Sequence, residues 1–398
     1  MKHLAPACFR TFTCAGGSCV DSCCRAGWEI IPDEETLARY RTLPGPAGAR
    51  VRAGLIPGKE PLLRQDERRV CVLLDADGLC HVQRSFGHEA LCRVCREYPR
   101  FHREFGNLTE HGISLSCPTA YALAVSTAPA WSEWEDDSPI VPNELDPVQY
   151  LRLRKGRELA LSLLGREDLP LLRRLALTAR LAHCMQAAPE RLLSHDYALR
   201  LRRWSTLRAD KGAGSSGSAP RAPSRGGLLS PGSTERAALI RLAERFSGLE
   251  ILSPAWSKAL KHFQAALDRE PVRDCFETRT PEIYARYLAY SLYKYWLDAL
   301  DDGDLEGRAA RSICMTLLGL AMDNALPGAG PFLQRISREI EHCEENLEAL
   351  RLFGPCFNRS TVFVRQRRPF RSPPVISNEV RNPSSFARKA RILCPRSK

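Results

Sequence analysis

The chain has 398 residues, 44% of them hydrophobic and 26% charged, with a formal net charge of +12 and sixteen cysteines. Its length suits two domains, or one large domain with an appendage, and there is ample apolar material for a core. The cysteines are therefore not needed as staples of a small fold, and no run of about 18 apolar residues marks a membrane-spanning helix.

The charge is unevenly spread. From Arg359 to Lys398 eleven Lys and Arg accompany one acid, Glu379, whereas the preceding 358 residues carry 47 bases and 45 acids. The basicity belongs to a tail and describes no folded surface, so a nucleic-acid partner is not expected. The opening stretch Met1–Cys8 lacks a continuous apolar segment. We therefore expect no secretory signal, no membrane association and a cytoplasmic location. Thiols in that compartment stay reduced, so the cysteines point to metal binding or catalysis rather than to disulfides.

Ten of the sixteen cysteines fall within the first 117 residues. Residues 1–125 read as loops and short helices forming a cysteine-rich metal-cluster region, with turn signals at Pro44-Gly45-Pro46 and Pro57-Gly58. Asp33 is placed to cap a helix over Glu34–Tyr40. Residues 146–210 form a first helical part, with helices broken near Gly165–Pro170 and a strong apolar stripe over Leu171–Leu181. The Gly/Ser/Pro-rich stretch 211–234 reads as a flexible linker. A second helical part, 235–356, predicts helices over Thr234–Phe246, Pro254–Leu267, Pro281–Leu300, Leu305–Met322 and Pro331–Leu352.

Thr280 and Pro281 are suited to the N-cap and first-turn positions of the third of these. Tyr284, Tyr287 and Leu288 recur at the spacing of an interhelical core face. Glu339, Glu341, Glu344, Glu345 and Glu348 read as a solvated face. Residues 357–398 form a basic tail, interrupted by prolines, that we expect to be disordered. The later cysteines, Cys184, Cys275, Cys314, Cys343, Cys356 and Cys394, lack ligand spacing and read as buried or indifferent thiols. The expected fold is mainly α, an irregular cysteine-rich N-terminal metal-binding region packed on a C-terminal helical domain.

The early cysteines fall in four blocks. Cys14, Cys19, Cys23 and Cys24 are spaced C-x4-C-x3-C-C. Cys71 and Cys80 bracket a turn, Cys92 and Cys95 are spaced C-x2-C, and Cys117 precedes Pro118. Soft thiolates at such spacings suit zinc or iron–sulfur clusters, and we take Cys14, Cys19, Cys23, Cys24, Cys71, Cys80, Cys95 and Cys117 as candidate ligands. Structural zinc usually shows paired C-x2-C knuckles or mixed histidines. Here there is one such knuckle, and His81, His88, His102 and His111 lack knuckle partners and read as surface residues. Spacing alone leaves both metals open. The C-x3-C-x2-C pattern of radical-SAM enzymes is absent. Gly16-Gly17, lying between candidate ligands, reads as a turn rather than a nucleotide-binding fingerprint.

Together these blocks resemble the flagellin lysine-N-methylase family, related to cysteine-cluster proteins described as zinc- or iron-chelating. The residues that carry the resemblance are Cys14, Cys19-x-Asp21-x-Cys23-Cys24, Gly27-Trp28-x-Ile30, Leu79-Cys80, Cys95-x-x-Tyr98-Pro99-Arg100 and Ser114-Leu115-Ser116-Cys117-Pro118. The resemblance implies S-adenosylmethionine-dependent methylation of lysine side chains of flagellin, by an enzyme with a [4Fe-4S] cluster. The alternative is a non-catalytic zinc- or iron-binding module with a helical partner-binding domain. Catalytic and S-adenosylmethionine-binding residues stay unassigned. A lysine nucleophile must be neutral, and Asp21, Asp33, Tyr98 and Glu110 are the candidates to accept its proton. Arg100 is suited either to a carboxylate of substrate or cofactor or to an internal acid.

Overall fold

The computed structural model describes residues 1–140, 145–187, 234–269, 275–351 and 392–393. In chain order the strands are β1 (Lys2–Pro6), β2 (Glu29–Ile30), β3 (Leu55–Ile56), β4 (Leu62–Leu63), β5 (Arg100–Phe105), β6 (Leu108–Ile113), β7 (Trp131–Glu135) and β8 (Ile392–Leu393). The N-terminal region is not only loops and short helices. It contains a four-stranded sheet of order β5-β6-β1-β7, with β1 parallel to β6 and antiparallel to β7. Lys2 to Leu4 pair with Leu108 to Glu110, so the first residues of the chain lie in the middle of the sheet. The pattern hides this sheet because β6 is buried at all positions but one and shows no apolar–polar alternation.

The short helices α1 (Ala7–Thr11), α2 (Glu34–Thr42), α3 (Gly45–Ala53), α4 (His81–Phe86) and α5 (Arg93–Glu97) carry the cysteine region. Asp33 caps α2 as expected, its carboxylate accepting from the Thr36 amide at 3.0 Å. Helix α6 (Pro118–Ser126) begins directly after Cys117, with proline in its first turn where a missing N–H costs nothing.

The helical part comprises α7 (Pro147–Leu164), α8 (Leu171–Ala187), α9 (Thr234–Ser247), α10 (Pro254–Leu267), α11 (Pro281–Tyr295), α12 (Ala299–Asp302), α13 (Leu305–Ala325), α14 (Phe332–Ile340) and α15 (Glu344–Arg351). Every residue of α13 from Gly307 to Met322 is buried, which makes it the central helix. A Cβ at Gly319 would lie 2.3 Å from Leu333 Cδ2, so glycine sets the close approach of α13 and α14. Tyr284, Tyr287 and Leu288 of α11 are buried in this core, as their spacing predicts.

Three expectations for this part are corrected. The span Pro331–Leu352 is two helices, because the chain leaves helical pairing at Glu341–Cys343. Helix α11 stops at Tyr295 and a 3-10 turn, Trp296–Asp298, leads into α12. Thr280 occupies the N-cap position of α11 but makes no capping bond, and its hydroxyl instead meets Thr278 Oγ1 at 3.4 Å. The acidic run is also divided. Glu344, Glu345 and Glu348 are exposed, whereas Glu339, against the Leu252 amide, and Glu341, against Lys294, are buried.

One apolar core runs from the sheet into the helices, joining Leu4, Phe12, Ile113 and Leu115 to Tyr287, Leu318 and Phe332. A bidentate pair reinforces it: Arg157 of α7 donates through both terminal nitrogens to Glu110 of β6, and both side chains are buried. A second, smaller core of Tyr40, Val51, Leu73, Val82, Leu91 and Cys92 lies under α2 to α5. The expected linker and tail lie outside the described residues, apart from Thr234 at the start of α9 and Ile392–Leu393, which pair with β2. Cys356 and Cys394 also lie outside them. Cys275, Cys314 and Cys343 are buried and Cys184 is half-buried. No described helix is long and apolar enough to cross a membrane.

Candidate metal centre

Seven of the eight candidate ligands converge. Cys14, Cys19, Cys23, Cys24, Cys80, Cys95 and Cys117 all line one cleft of about 120 Å³. Cys71 sits behind it, lining a smaller cavity that Cys23, Cys24 and Cys95 also border, and its amide donates to the Cys24 carbonyl at 2.9 Å. Cys92, which shares the C-x2-C knuckle, instead belongs to the small core.

Local backbone chemistry assembles the cleft. Gly16 has φ +56 and turns the chain between Cys14 and Cys19. Gly17 lies against Gly78, which has φ +83: a Cβ on Gly17 would lie 2.9 Å from the Asp77 carbonyl, and one on Gly78 would lie 2.8 Å from the Gly17 carbonyl. Two cysteine loops thus touch backbone to backbone, and the turn expected at Gly16-Gly17 is also a contact that only glycines permit. Cys117 enters from the other side, at the junction of the sheet with α6.

The helical part clamps this assembly through residues the sequence did not single out. Arg338 of α14 donates to the carbonyls of Asp21 at 3.1 Å and Ser22 at 2.7 Å, and pairs with the Asp21 carboxylate at 3.2 Å. Trp28 is buried between Arg338, whose guanidinium lies 5.3 Å from its ring, and His342, whose ring centroid is 4.1 Å away. In sequence, Arg338 and His342 stand among charged residues that look like a solvent face, so no local signal separates them.

A hydrogen-bonded chain leads inward from the cleft wall. Tyr98 Oη meets Ser116 Oγ at 3.0 Å, and Ser116 Oγ meets His342 Nε2 at 2.7 Å. Ser114 Oγ joins Ser116 Oγ at 2.9 Å and donates to Glu341 at 3.1 Å, and Lys294 Nζ donates to the same carboxylate oxygen at 2.6 Å. Burial, with Lys294 and Arg338 nearby, lowers His342 to about 3, so its ring is neutral. Burial, with Cys117 nearby, raises Tyr98, so its hydroxyl keeps its proton.

The other candidates separate. Asp21, Tyr98 and Arg100 line the cleft, and Asp21 is the one carboxylate among its described lining residues. Arg100 pairs with no acid there; it donates to the Phe12 carbonyl at 3.1 Å and stacks over the Phe12 ring. Asp33 and Glu110 do not line it. Asp33 caps α2 and also accepts from the Arg93 amide at 2.9 Å, while Glu110 is consumed by Arg157. His88 lines the cleft and His102 is exposed. His111 and His81 are not surface residues: His111 is half-buried between His3 and Trp134, and His81 reaches toward Asp75 and the Ala47 carbonyl.

Burial holds several of these thiols protonated. Burial raises Cys80 and Cys117, and pushes Cys71 up to about 12. Cys23 is raised by its hydrogen bond to Cys24, which the same bond lowers to about 7. A metal centre here would have to displace those protons. Soft sulfur donors around one cleft fit such a centre by their chemistry. Among the described residues, however, no three His, Cys, Asp or Glu side chains are arranged to hold a metal ion. A tetrahedral zinc needs four donors at about 2.3 Å from one point. An iron–sulfur cluster needs wider spacing, because each thiolate takes a different iron and the inorganic core lies between them.

Comparison with known proteins decides the family. The flagellar biosynthetic protein FliU of Salmonella muenchen is 32% identical over 123 residues, which cover 28% of this chain and 70% of that protein. Lysine-N-methylases of Salmonella choleraesuis and Salmonella typhimurium are each 32% identical over 120 residues. This chain belongs to the lysine-N-methylase family. The match spans 28% of this chain and 30% of the length of those two methylases. No family model matches the chain, and no solved structure does.

Proposed function

We propose that this protein transfers methyl groups from S-adenosylmethionine to lysine side chains of flagellin, and that cysteines of the cleft hold an iron–sulfur cluster. The observation that carries the reading is the convergence of seven cysteines from four separate segments on one cleft, in a chain of the lysine-N-methylase family. The donors would come from Cys14, Cys19, Cys23, Cys24, Cys80, Cys95 and Cys117, with Cys71 in reserve behind Cys24. Their wide placement favours a multi-iron centre over a single zinc. When bound, such a cluster supplies a Lewis-acidic iron or an electron-transfer centre beside the reacting groups.

The chain's own residues would handle the amine. Methyl transfer needs the lysine nitrogen neutral, and burial of the incoming side chain favours that form. Asp21 is suited to receive the ammonium and take its proton, while Arg338 holds the carboxylate in place. Tyr98 is suited to orient the nitrogen through its hydroxyl, itself fixed by Ser116 and the neutral His342.

Anaerobic purification followed by iron and sulfide determination tests the cluster. Brown protein with both elements in cluster proportion supports it, and colourless protein with bound zinc removes it. Incubation with purified flagellin and labelled S-adenosylmethionine, read by mass spectrometry at lysines, tests the activity. No label on flagellin with the cluster intact would remove the enzyme reading.

A further inference from the structure

Besides its thiols and Tyr98, the cysteine cleft is lined by the ionisable side chains Asp21, His88, Arg96 and Arg100. The first three have charged partners. Asp21 pairs with Arg338. His88 and Arg96 both reach the Glu89 carboxylate, at 3.4 Å and 3.9 Å, and Arg96 also donates to the Glu89 carbonyl at 3.4 Å. Arg100 pairs with no acid among the described residues, and its side chain is exposed.

Arg100 is nonetheless held in place. It is the first residue of β5 and lies in register with Ile113 of β6. Its guanidinium lies 4.9 Å from the centre of the Phe12 ring and 6.0 Å from that of Phe9. One terminal nitrogen donates to the Phe12 carbonyl at 3.1 Å. A guanidinium carries several N–H donors in one plane, so donors remain for a ligand that enters the cleft. Stacking on the rings restrains that plane, which reduces the entropy lost when a planar anion binds.

We infer that Arg100 is the carboxylate-binding residue of the cysteine cleft and takes the amino-acid end of the methyl donor. The assignment rests on the function proposed above. Methyl transfer requires the lysine nitrogen and the donor sulfonium to meet, so the donor must enter the cleft where Asp21 and Tyr98 receive the amine. S-adenosylmethionine carries a single anionic group, its carboxylate, on a short chain from the sulfonium. Arg100 follows Tyr98 and Pro99 directly and lines the same cleft. A guanidinium fork matches a carboxylate in both shape and charge. Asp21 does not compete for it, being paired with Arg338.

Isothermal titration of the full-length, anaerobically prepared protein with S-adenosylhomocysteine, and with the same compound lacking its carboxylate, tests the assignment. Arg100→Met should weaken S-adenosylhomocysteine by about tenfold or more, with Arg100→Lys in between because it keeps the charge and loses the fork. The decarboxylated compound should bind wild type weakly and should not sense the substitution. Iron and sulfide content should be the same in wild type and both variants. Arg100 is exposed and belongs to no buried ion pair, so both variants should fold as wild type does by circular dichroism. Equal affinity of wild type and Arg100→Met, equal binding of the two compounds, or no binding of S-adenosylhomocysteine by wild type overturns the assignment. Loss of iron in Arg100→Met also overturns it, by making Arg100 a counter-charge to the metal centre. So does a raised KM for flagellin with unchanged affinity for S-adenosylhomocysteine, which turns Arg100 toward the protein substrate. Methylation of flagellin by Arg100→Met with unchanged KM for S-adenosylmethionine removes the assignment and leaves the methylase reading. Arg100-dependent binding of S-adenosylhomocysteine by a protein that methylates no flagellin keeps the site and removes that reading.

Discussion

Seven early cysteines face a common cleft, whereas Cys275, Cys314 and Cys343 of the helical part are buried separately. The side chain is the same; the backbone differs. On α13, Cys314 takes one position of a helix buried on all sides and acts as a small apolar group. Around the cleft, turns and the short or terminal turns of helices present the sulfurs, and glycines let two loops touch. Irregular chain can point several donors at one place, and the surrounding elements must then hold it there. Arg338 and His342 do so from the helical side.

The largest effect should come from the sulfurs themselves. Serine at Cys19, Cys23, Cys80, Cys95 and Cys117 together should abolish metal content measured by elemental analysis, while Cys314→Ser should keep the metal. Retained metal in the five-fold variant would erase the distinction between the two regions. Next comes the pair that ties the sheet to α7. Arg157→Met strands buried Glu110 and should cost about 3–5 kcal/mol in urea unfolding. Because sheet and helices share one core, their spectroscopic signals should be lost in a single transition; two transitions would show independent units.

A smaller effect is expected where the loops touch. Gly17→Val should cost about 1–3 kcal/mol by overpacking against the Asp77 carbonyl, and should lower metal content. Unchanged metal would mean that the apposition is incidental. The smallest belongs to Glu339, which accepts from the Leu252 amide at 2.9 Å and which burial raises to about 7 from 4.5. A carboxyl raised on folding binds more protons folded than unfolded, so stability falls as pH climbs from about 4.5 to 7 and is flat above. Relative to Glu339→Gln, the wild type should lose about 1–3 kcal/mol across that window. Parallel pH profiles of the two proteins would dismiss this.

Much of the helical part was legible. Pro254–Leu267 has the bounds its pattern predicts, and the aromatic face of α11 is core. The break between α14 and α15 was not, because neither glycine nor proline marks Glu341–Cys343. Nor was the sheet, since β1 is five residues long and its partners lie about a hundred residues away. The acidic run misled because helical periodicity says which residues share a face, and not whether another helix covers it. Glu341 is buried because Lys294 reaches it from α11.

The sequence by itself determined the cysteine blocks, the glycines between them and the run of amphipathic helices, since spacing and period are local properties of a chain. Only the tertiary structure decided which thiols share a cleft, which acids are removed from it, and that Arg338 of the helical part holds it. Those are properties of distance between segments remote in sequence, and burial sets their energy.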